Sequence, residues 1–230
     1  MTSLKNFDWD DDLLAATKRD GQPRARVYRP SQVSVVLGRG SKLELEVNVN
    51  AALEANVPLL RRRGGGCSVV LDPGNVIVSC TLPLPGLGGT TRAFRTISQW
   101  IIDALGKAGV PNVHQEGISD LALGMRKIGG ACIFRSKDLL YYTTTLLFTP
   151  DLDLVERLLK HPPREPDYRA ERKHRAFMGS LASSLPRQNI GSFTQQIDQA
   201  LAGTVEALFD ANISLDGKQT QRTHKQEVMV

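Results

Sequence analysis

The sequence predicts an α+β fold: a mixed, largely antiparallel β-sheet flanked by helices. Three observations carry this. Short β-type runs cluster around the glycine-rich stretch 61–75. A second group of such runs spans 120–148, with a tight turn at Gly124. Two amphipathic stretches, Thr91–Gly109 and Ser192 to about Asn212, lie outside both groups. Strand groups set between helices favour α+β over strictly alternating α/β.

Taken in order, Asp10-Asp11-Asp12-Leu13-Leu14 opens a short helix with acids in its first turn, ending near Gly21. β-Branched and aromatic content marks strands at Arg26–Tyr28 and Val33–Gly38. The run Ala51-Ala52-Leu53-Glu54-Ala55 predicts a helix over Glu44–Asn56. Strands are expected at Leu59–Arg62, Cys67–Leu71 and Val76–Leu82, then a loop with Pro83, Pro85, Gly86, Gly88 and Gly89. In the helix Thr91–Gly109, Phe94, Ile97, Ile101, Ile102 and Leu105 share one face.

After a loop holding Gln115–Ile118, a meander is expected from Asp120–Leu123, Lys127–Phe134 and Leu139–Phe148. Thr149-Pro150-Asp151 opens a helix to Lys160 with proline at its first position, stopped by His161-Pro162-Pro163. Ser192-Phe193-Thr194-Gln195 reads as a capping box for the last helix. Its core face is Phe193, Ile197, Leu201, Val205 and Leu208. Residues 1–212 read as one globular domain and 213–230 as a polar, mobile tail.

Composition narrows the function. The chain has 230 residues, 41% hydrophobic and 23% charged, which suits a packed domain rather than disorder. No apolar run approaches the roughly 20 residues that span a bilayer, and Met1–Asp8 lacks the apolar core of a signal peptide. Three cysteines without metal-ligand spacing fit a reducing compartment, so a cytoplasmic protein with no membrane partner is expected. The net charge of +5 favours an acidic partner. Basic residues are not interleaved with aromatics, at 6% of the chain, so no nucleic-acid partner is expected.

The chemistry concentrates in two segments. In Arg61-Arg62-Arg63-Gly64-Gly65-Gly66-Cys67, arginine supplies cationic forks and glycine opens backbone N–H groups to an anion. A Walker loop needs lysine and Ser/Thr at its end, and a dinucleotide loop needs a following helix; neither is present. In Ser119-Asp120-Leu121-Ala122-Leu123-Gly124-Met125-Arg126-Lys127-Ile128-Gly129-Gly130-Ala131, a hairpin carries a lysine into glycines.

Together the segments resemble the lipoate–protein ligase A family, within the biotin/lipoate ligase and octanoyltransferase superfamily. That family's first motif runs Arg-Arg-x-Ser-Gly-Gly-Gly-Ala-Val-x-His-Asp-x-Gly-Asn. Its second runs Asn-Asp, an apolar residue and a hairpin, then Lys-Ile-Ser-Gly-Ser-Ala. Val36-Leu37-Gly38-Arg39, Glu46-Val47-Asn48 and Pro166-Asp167-Tyr168-Arg169 are also similar to family landmarks.

The resemblance implies a biotin/lipoate ligase catalytic-domain type of fold. It implies activation of lipoate or octanoate with ATP and Mg²⁺ to acyl-AMP, then transfer to a lysine of an acidic lipoyl-type carrier domain. Lys127 is the implied catalytic residue. Arg62, Gly64, Gly65, Gly66, Asp72, Asn75, Asp120, Gly130 and Ala131 are the implied adenylate-binding set. No fixed metal site is implied. Val36, Leu37, Val69 and Val78 are the candidates for the acyl pocket. Some family members receive an accessory domain as a separate polypeptide, and such a partner is an expectation here.

The departures matter too. Gly64 stands at the family's serine, Leu71 at the histidine of its His-Asp step, and Gly129 at the serine after Lys-Ile. Tyr142-Thr143-Thr144-Thr145 replaces His-His-Gly-Thr. Two other readings therefore stay open. One is an ATP-independent lipoyl or octanoyl transferase, whose relatives use a cysteine thioester. The other is a non-catalytic module that binds lipoyl groups or carriers. Cys132 reads as a small buried hydrophobe. Arg164, Arg169, Arg172, Lys173 and Arg175 are a candidate basic patch for the carrier.

Overall fold

The structure is a computed structural model that describes residues 4–84, 89–208 and 210. The expected loop glycines Gly86 and Gly88, the end of the last helix and the tail 213–230 lie outside the described residues.

Two sheets face one another. The smaller has the order β1 (Lys5–Asn6), β4 (Leu59–Arg61), β3 (Ser34–Leu37), β5 (Val69–Leu71). Its β1–β4 and β3–β4 pairs are parallel, and β3–β5 is antiparallel. The larger has the order β2 (Arg24–Tyr28), β6 (Asn75–Pro83), β10 (Leu139–Leu147), β9 (Arg126–Arg135), β8 (Asp120–Leu123), β7 (Val113–Glu116). It is antiparallel throughout. The mixed, largely antiparallel α+β expectation is met.

Strand alternation sorts the side chains into layers. The outer face of the small sheet packs Val35, Leu37, Leu59 and Val70 against α3 (Val49–Glu54) and α5 (Leu152–Leu158). The outer face of the large sheet packs Val76, Val78, Leu121, Ile128 and Leu146 against α4 (Thr90–Lys107) and α7 (Ile190–Leu201). Between the sheets lie Val36, Leu60, Leu71 and Ile77, with Val69, Trp9 and Tyr28 packed against them. α1 (Asp11–Asp20) packs on β6 and β10.

Several boundaries differ from expectation for local reasons. The helix expected over 44–56 splits into α2 (Leu43–Glu46) and α3. Val47 is extended and bridges to Leu159, and the Asn48 side chain caps α3. Gln115 and Glu116 lie in a strand, β7, not in a loop. Pro150 precedes the α5 cap; Asp151 is the cap, its side chain accepting from the Leu154 amide. Asn189, not Ser192, caps α7, which ends at Leu201 before a turn at Gly203. All five residues of the expected core face of that segment are buried.

Candidate active site

The lysine hairpin is shaped by a bulge. Asp120 pairs with Gly130 and Ala122 with Lys127, so the register shifts by one residue between Leu121 and Ala122. The extra residue puts Lys127 on the same face as Asp120 and Gly130. Lys127 Nζ donates to Asp120 Oδ1 at 2.7 Å, and its side chain is 25% exposed. The chain of Lys127 lies across Gly130: a Cβ there would meet Cε and Nζ at 2.9 Å. Asp120 is buried, and its Oδ2 accepts from Tyr168 Oη at 2.9 Å. Burial first, and then the Asp120 charge, push the Tyr168 phenol well above its ordinary pKa, so it stays a donor.

Tyr168 was read from sequence only as part of a family landmark, without a role of its own. It reaches Asp120 because the segment after α5 folds back over the hairpin. Gly179 N donates to Lys127 O at 2.8 Å, and Tyr168 packs on Phe177 at 5.0 Å between ring centres. Arg169 and Arg172 lie over the Phe177 ring. Arg169 is buried, and Arg172 donates to the carbonyls of Tyr168 and Met125. Arg175 pairs with Asp153. Two of the five side chains of the expected basic patch, Arg169 and Arg172, thus brace this segment, while Arg175 and its partner Asp153 are exposed.

The glycine loop is organised the opposite way from the simple expectation. Arg62 donates to the carbonyls of Val36 (3.0 Å), Gly65 (2.7 Å) and Cys67 (2.8 Å). Gly64 O accepts from Arg39 N at 2.8 Å, and Gly66 O from Ser41 Oγ at 3.1 Å. The loop carbonyls are therefore turned to the protein. Among the described residues, no acceptor meets the amide N–H groups of Gly64, Gly65, Gly66 or Cys67. Gly65 and Gly66 are exposed, Gly65 has open space where a Cβ would stand, and Gly66 has φ +89°. Such a run of free donors is the arrangement that an anion cradle requires. The arginines build it rather than line it: Arg61 holds the carbonyls of Gly38, Arg39 and Ser41, and Arg63 pairs with Asp11.

Glu46 is a second brace that sequence reasoning left without a role. It is buried, and Oε2 accepts from Ser41 Oγ (2.9 Å), Ser68 N (2.5 Å) and Ser68 Oγ (2.8 Å). It ties the two ends of the loop region to α2. Gly38 has no alternative here, because a Cβ would fall 1.9 Å from Gly66 O.

The loop and the hairpin meet on β9. A Cβ on Gly64 would stand 2.6 Å from Cys132 Sγ. Cys132 is two residues along β9 from Gly130, on the same face. The Lys127 charge also reaches the Cys67 thiol, whose pKa burial nevertheless raises.

The remaining candidates divide. Asp72 is buried, Oδ1 accepting from Gly74 N (2.6 Å) and Oδ2 from Asp151 N (3.2 Å), so both oxygens serve the turn. Asn75 is fully buried; Oδ1 accepts from Asp72 N, while Nδ2 has no partner among the described residues. Ala131 faces the helix layer with Tyr142 and Leu140, and its amide is taken by Ser119 O, so its side chain lies away from the cleft. Of the acyl-pocket candidates, Val36 and Val69 lie between the sheets. Leu37 and Val78 belong to the two outer cores, because alternation sends them to the other faces. Leu71 and Thr143, at replaced histidine positions, stand in or beside the inter-sheet layer.

Asp10 departs most from its sequence reading. It makes no cap bond to α1. It is 2% exposed, and Oδ2 accepts from Tyr28 Oη (3.0 Å), Ser79 Oγ (2.6 Å) and Tyr141 Oη (2.6 Å).

Among the described residues no helix is long and apolar enough to cross a membrane, and no group of three or more His, Cys, Asp or Glu is placed to hold a metal.

Known proteins are similar to this chain in sequence and in fold. A lipoate–protein ligase of Streptococcus pyogenes is 27% identical over 157 residues, covering 68% of this chain and 45% of that protein. The chain spans about half the length of the curated relatives it matches. The bipartite lipoate protein ligase of Thermoplasma acidophilum, studied with its E2 lipoyl domain, has the same fold. The TM-score is 0.70 at 20% identity, over 88% of this chain and 82% of that one. Lipoate-protein ligase A bound with ATP superposes with TM-score 0.70 at 21% identity, over 86% of this chain and 78% of that one. The model of the lipoyl protein ligase A/B catalytic domain matches residues 2–202, and the chain belongs to that family.

Proposed function

We propose that this chain is the catalytic part of an ATP-dependent lipoate–protein ligase. It joins lipoate or octanoate to AMP and passes the acyl group to a lysine of a lipoyl-type carrier domain. The observation that carries this is the pairing of one held ammonium, Lys127, with the unengaged amides of Gly64–Cys67 on the same face of β9.

Acyl adenylation brings a carboxylate to a phosphate. A carboxylate oxygen attacks the α-phosphorus as the bond to pyrophosphate breaks. Charge grows on phosphate oxygens, and fixed donors stabilise it. Gly64, Gly65 and Gly66 offer such donors, and Lys127 offers the compact charge. Asn75 Nδ2 is a further free donor. Asp120 and Tyr168 hold the ammonium in place. We assign to Asp120, beside the ammonium, the proton that the acceptor amine loses as it attacks the acyl carbon and AMP leaves. Mg²⁺ would enter with the nucleotide and supply charge neutralisation at its phosphates, and of the carboxylates near the glycine loop Asp72 already serves the amides of Gly74 and Asp151. Relatives bound with ATP or with lipoic acid support these substrates. The relative studied with an E2 lipoyl domain, itself bipartite, supports the carrier and a separate accessory polypeptide.

The test is pyrophosphate release with lipoate, octanoate or biotin plus ATP. ATP-dependent release with lipoate or octanoate supports the ligase. Acyl transfer from an octanoyl carrier without ATP would replace it with the transferase reading. Tight binding with neither activity would leave a non-catalytic module.

A further inference from the structure

Three cations converge on the end of the glycine loop. Lys127 reaches the Cys67 thiol from the hairpin, and the charges of Arg164 and Arg169 reach it from the segment that follows α5. Lys127 is paired with Asp120, and Arg169 with Glu165, Nε to Oε2 at 3.1 Å. Glu46, whose charge also reaches the thiol, is occupied by Ser41 and Ser68. Arg164 is different. It is exposed, and among the described residues its guanidinium makes no ion pair or hydrogen bond.

Arg164 stands on a fixed base. Its carbonyl accepts from Cys67 Sγ at 3.5 Å, which seats it on the last residue of the free-amide run. The next residue, Glu165, is held on both carboxylate oxygens: Oε1 accepts from the Glu171 amide at 2.8 Å, and Oε2 lies 2.9 Å from His161 Nε2. Ala170 (φ +50°) and Glu171 (φ +55°) are both left-handed, and this turn brings the Glu171 amide back to Glu165. Such backbone is costly for residues with a Cβ and persists only where its surroundings hold it. The turn thus fixes an unpaired arginine beside the amides of Gly64–Cys67 that lack acceptors.

Lys127 and the loop amides match the phosphate of an acyl-adenylate. ATP brings the further charges of its β- and γ-phosphates, which depart as pyrophosphate with the electron pair of the broken P–O bond. We propose that Arg164 is a binding residue for this pyrophosphate portion, receiving it at the Cys67 end of the glycine loop. An arginine fork suits phosphate oxygens. Arg169, buried and with no hydrogen-bond partner at Nη2 among the described residues, adds fixed positive potential at the same end. Cations and amides crowding round one point fit a compact polyanion better than the broad acidic face of a carrier, so Arg164 leaves the carrier patch expected from sequence. The inference rests on the ligase reading for the identity of the anion.

The experiment compares the whole chain with its Arg164→Ala variant in three measurements: ATP–pyrophosphate exchange with lipoate, calorimetric binding of inorganic pyrophosphate, and acyl transfer from preformed lipoyl-AMP to a lipoyl carrier domain. The variant should raise KM for ATP and Kd for pyrophosphate about tenfold or more, the loss of one charge-assisted hydrogen bond. Transfer from lipoyl-AMP should not change, and Arg164→Lys, which keeps the charge, should lose less. Unaltered affinity for ATP and pyrophosphate overturns the assignment and leaves the ligase reading standing. A rise confined to the carrier KM overturns it too and returns Arg164 to docking. Comparable losses in all three measurements overturn it in favour of a purely structural role for the segment. Arg164-dependent pyrophosphate binding in a chain without exchange activity overturns the ligase reading and keeps the arginine as a polyphosphate ligand. Neither binding nor exchange in the wild type overturns both.

Discussion

Gly130 is glycine because Lys127 lies across it: a Cβ there would stand 2.9 Å from both Cε and Nζ of the lysine. The obstructing atoms are the far end of a flexible chain. Gly130→Ala should therefore cost little stability but push the ammonium off Asp120. Adenylation kcat should fall about 10-fold to 100-fold while the melting temperature stays near wild type. Unchanged kcat would refute the link between the two residues.

Removing the ammonium itself is the stronger test. Lys127→Ala should lower adenylate formation by about 10²-fold to 10³-fold, the usual loss for one transition-state donor. Asp120→Asn should lower it less, since the lysine remains but is less firmly held. Folding is checked by circular dichroism. A fully active, folded Lys127→Ala variant would end the proposed role.

Glu46→Ala removes a buried acceptor that serves three donors of Ser41 and Ser68. Leaving those donors unmet should destabilise the protein by about 2–4 kcal/mol, read by urea unfolding. Glu46→Gln, which keeps an acceptor oxygen, should lose less. Equal losses would mean that the carboxylate charge, which a neutral amide oxygen cannot replace, sets the cost.

His174 gives a pH signature. Burial lowers its pKa below the ordinary 6.5, and Nε2 lies 3.1 Å from Lys160 O. The unfolded chain therefore binds a proton at higher pH than the folded chain. Stability should be full above about pH 6.5–7 and fall as pH drops from there toward the lowered folded value. Melting scans between pH 8 and 5 should show this loss, and His174→Phe should show a smaller one. A slope identical in the variant would assign the pH dependence to other groups.

Thiol chemistry separates the ligase from a thioester transferase. Burial raises the pKa of Cys67, Cys132 and Cys80, the last to about 12. None is poised as a thiolate at neutral pH. Iodoacetamide should label the native protein slowly and the denatured protein fast, followed by mass spectrometry. Rapid native labelling of Cys132 with loss of acyl transfer would favour the transferase.

Much of the fold was legible because its signals are local. Gly21 sits in the left-handed region after α1, as the sequence anticipates, and the Gly124 turn joins β8 to β9 as expected. Val113–Glu116 was missed because its run Val-His-Gln-Glu has one β-branched residue; pairing with β8 makes it a strand. The lysine and glycine motifs were readable because glycine marks backbone that a side chain would obstruct. The direction of the arginines was not. A basic run records charge, but only the folded chain shows that the guanidinium of Arg62 turns inward to carbonyls. That Leu37 and Val78 lie in the outer cores was illegible for a related reason: alternation says that a strand has two faces, not which one meets the opposite sheet. Nor does a run of three aspartates reveal that Asp10 alone is buried beneath two tyrosines.

The Arg62 clamp has a thermodynamic consequence. Its bonds to Gly65 and Cys67 close within a few residues of its own backbone, so the curve of amides is held before any guest arrives. On the proposed ligase reading, an incoming phosphate then loses little affinity to the entropy of arranging its hosts. Arg62→Lys, with one point donor in place of a fork, would leave net charge intact yet return that loss to the binding step.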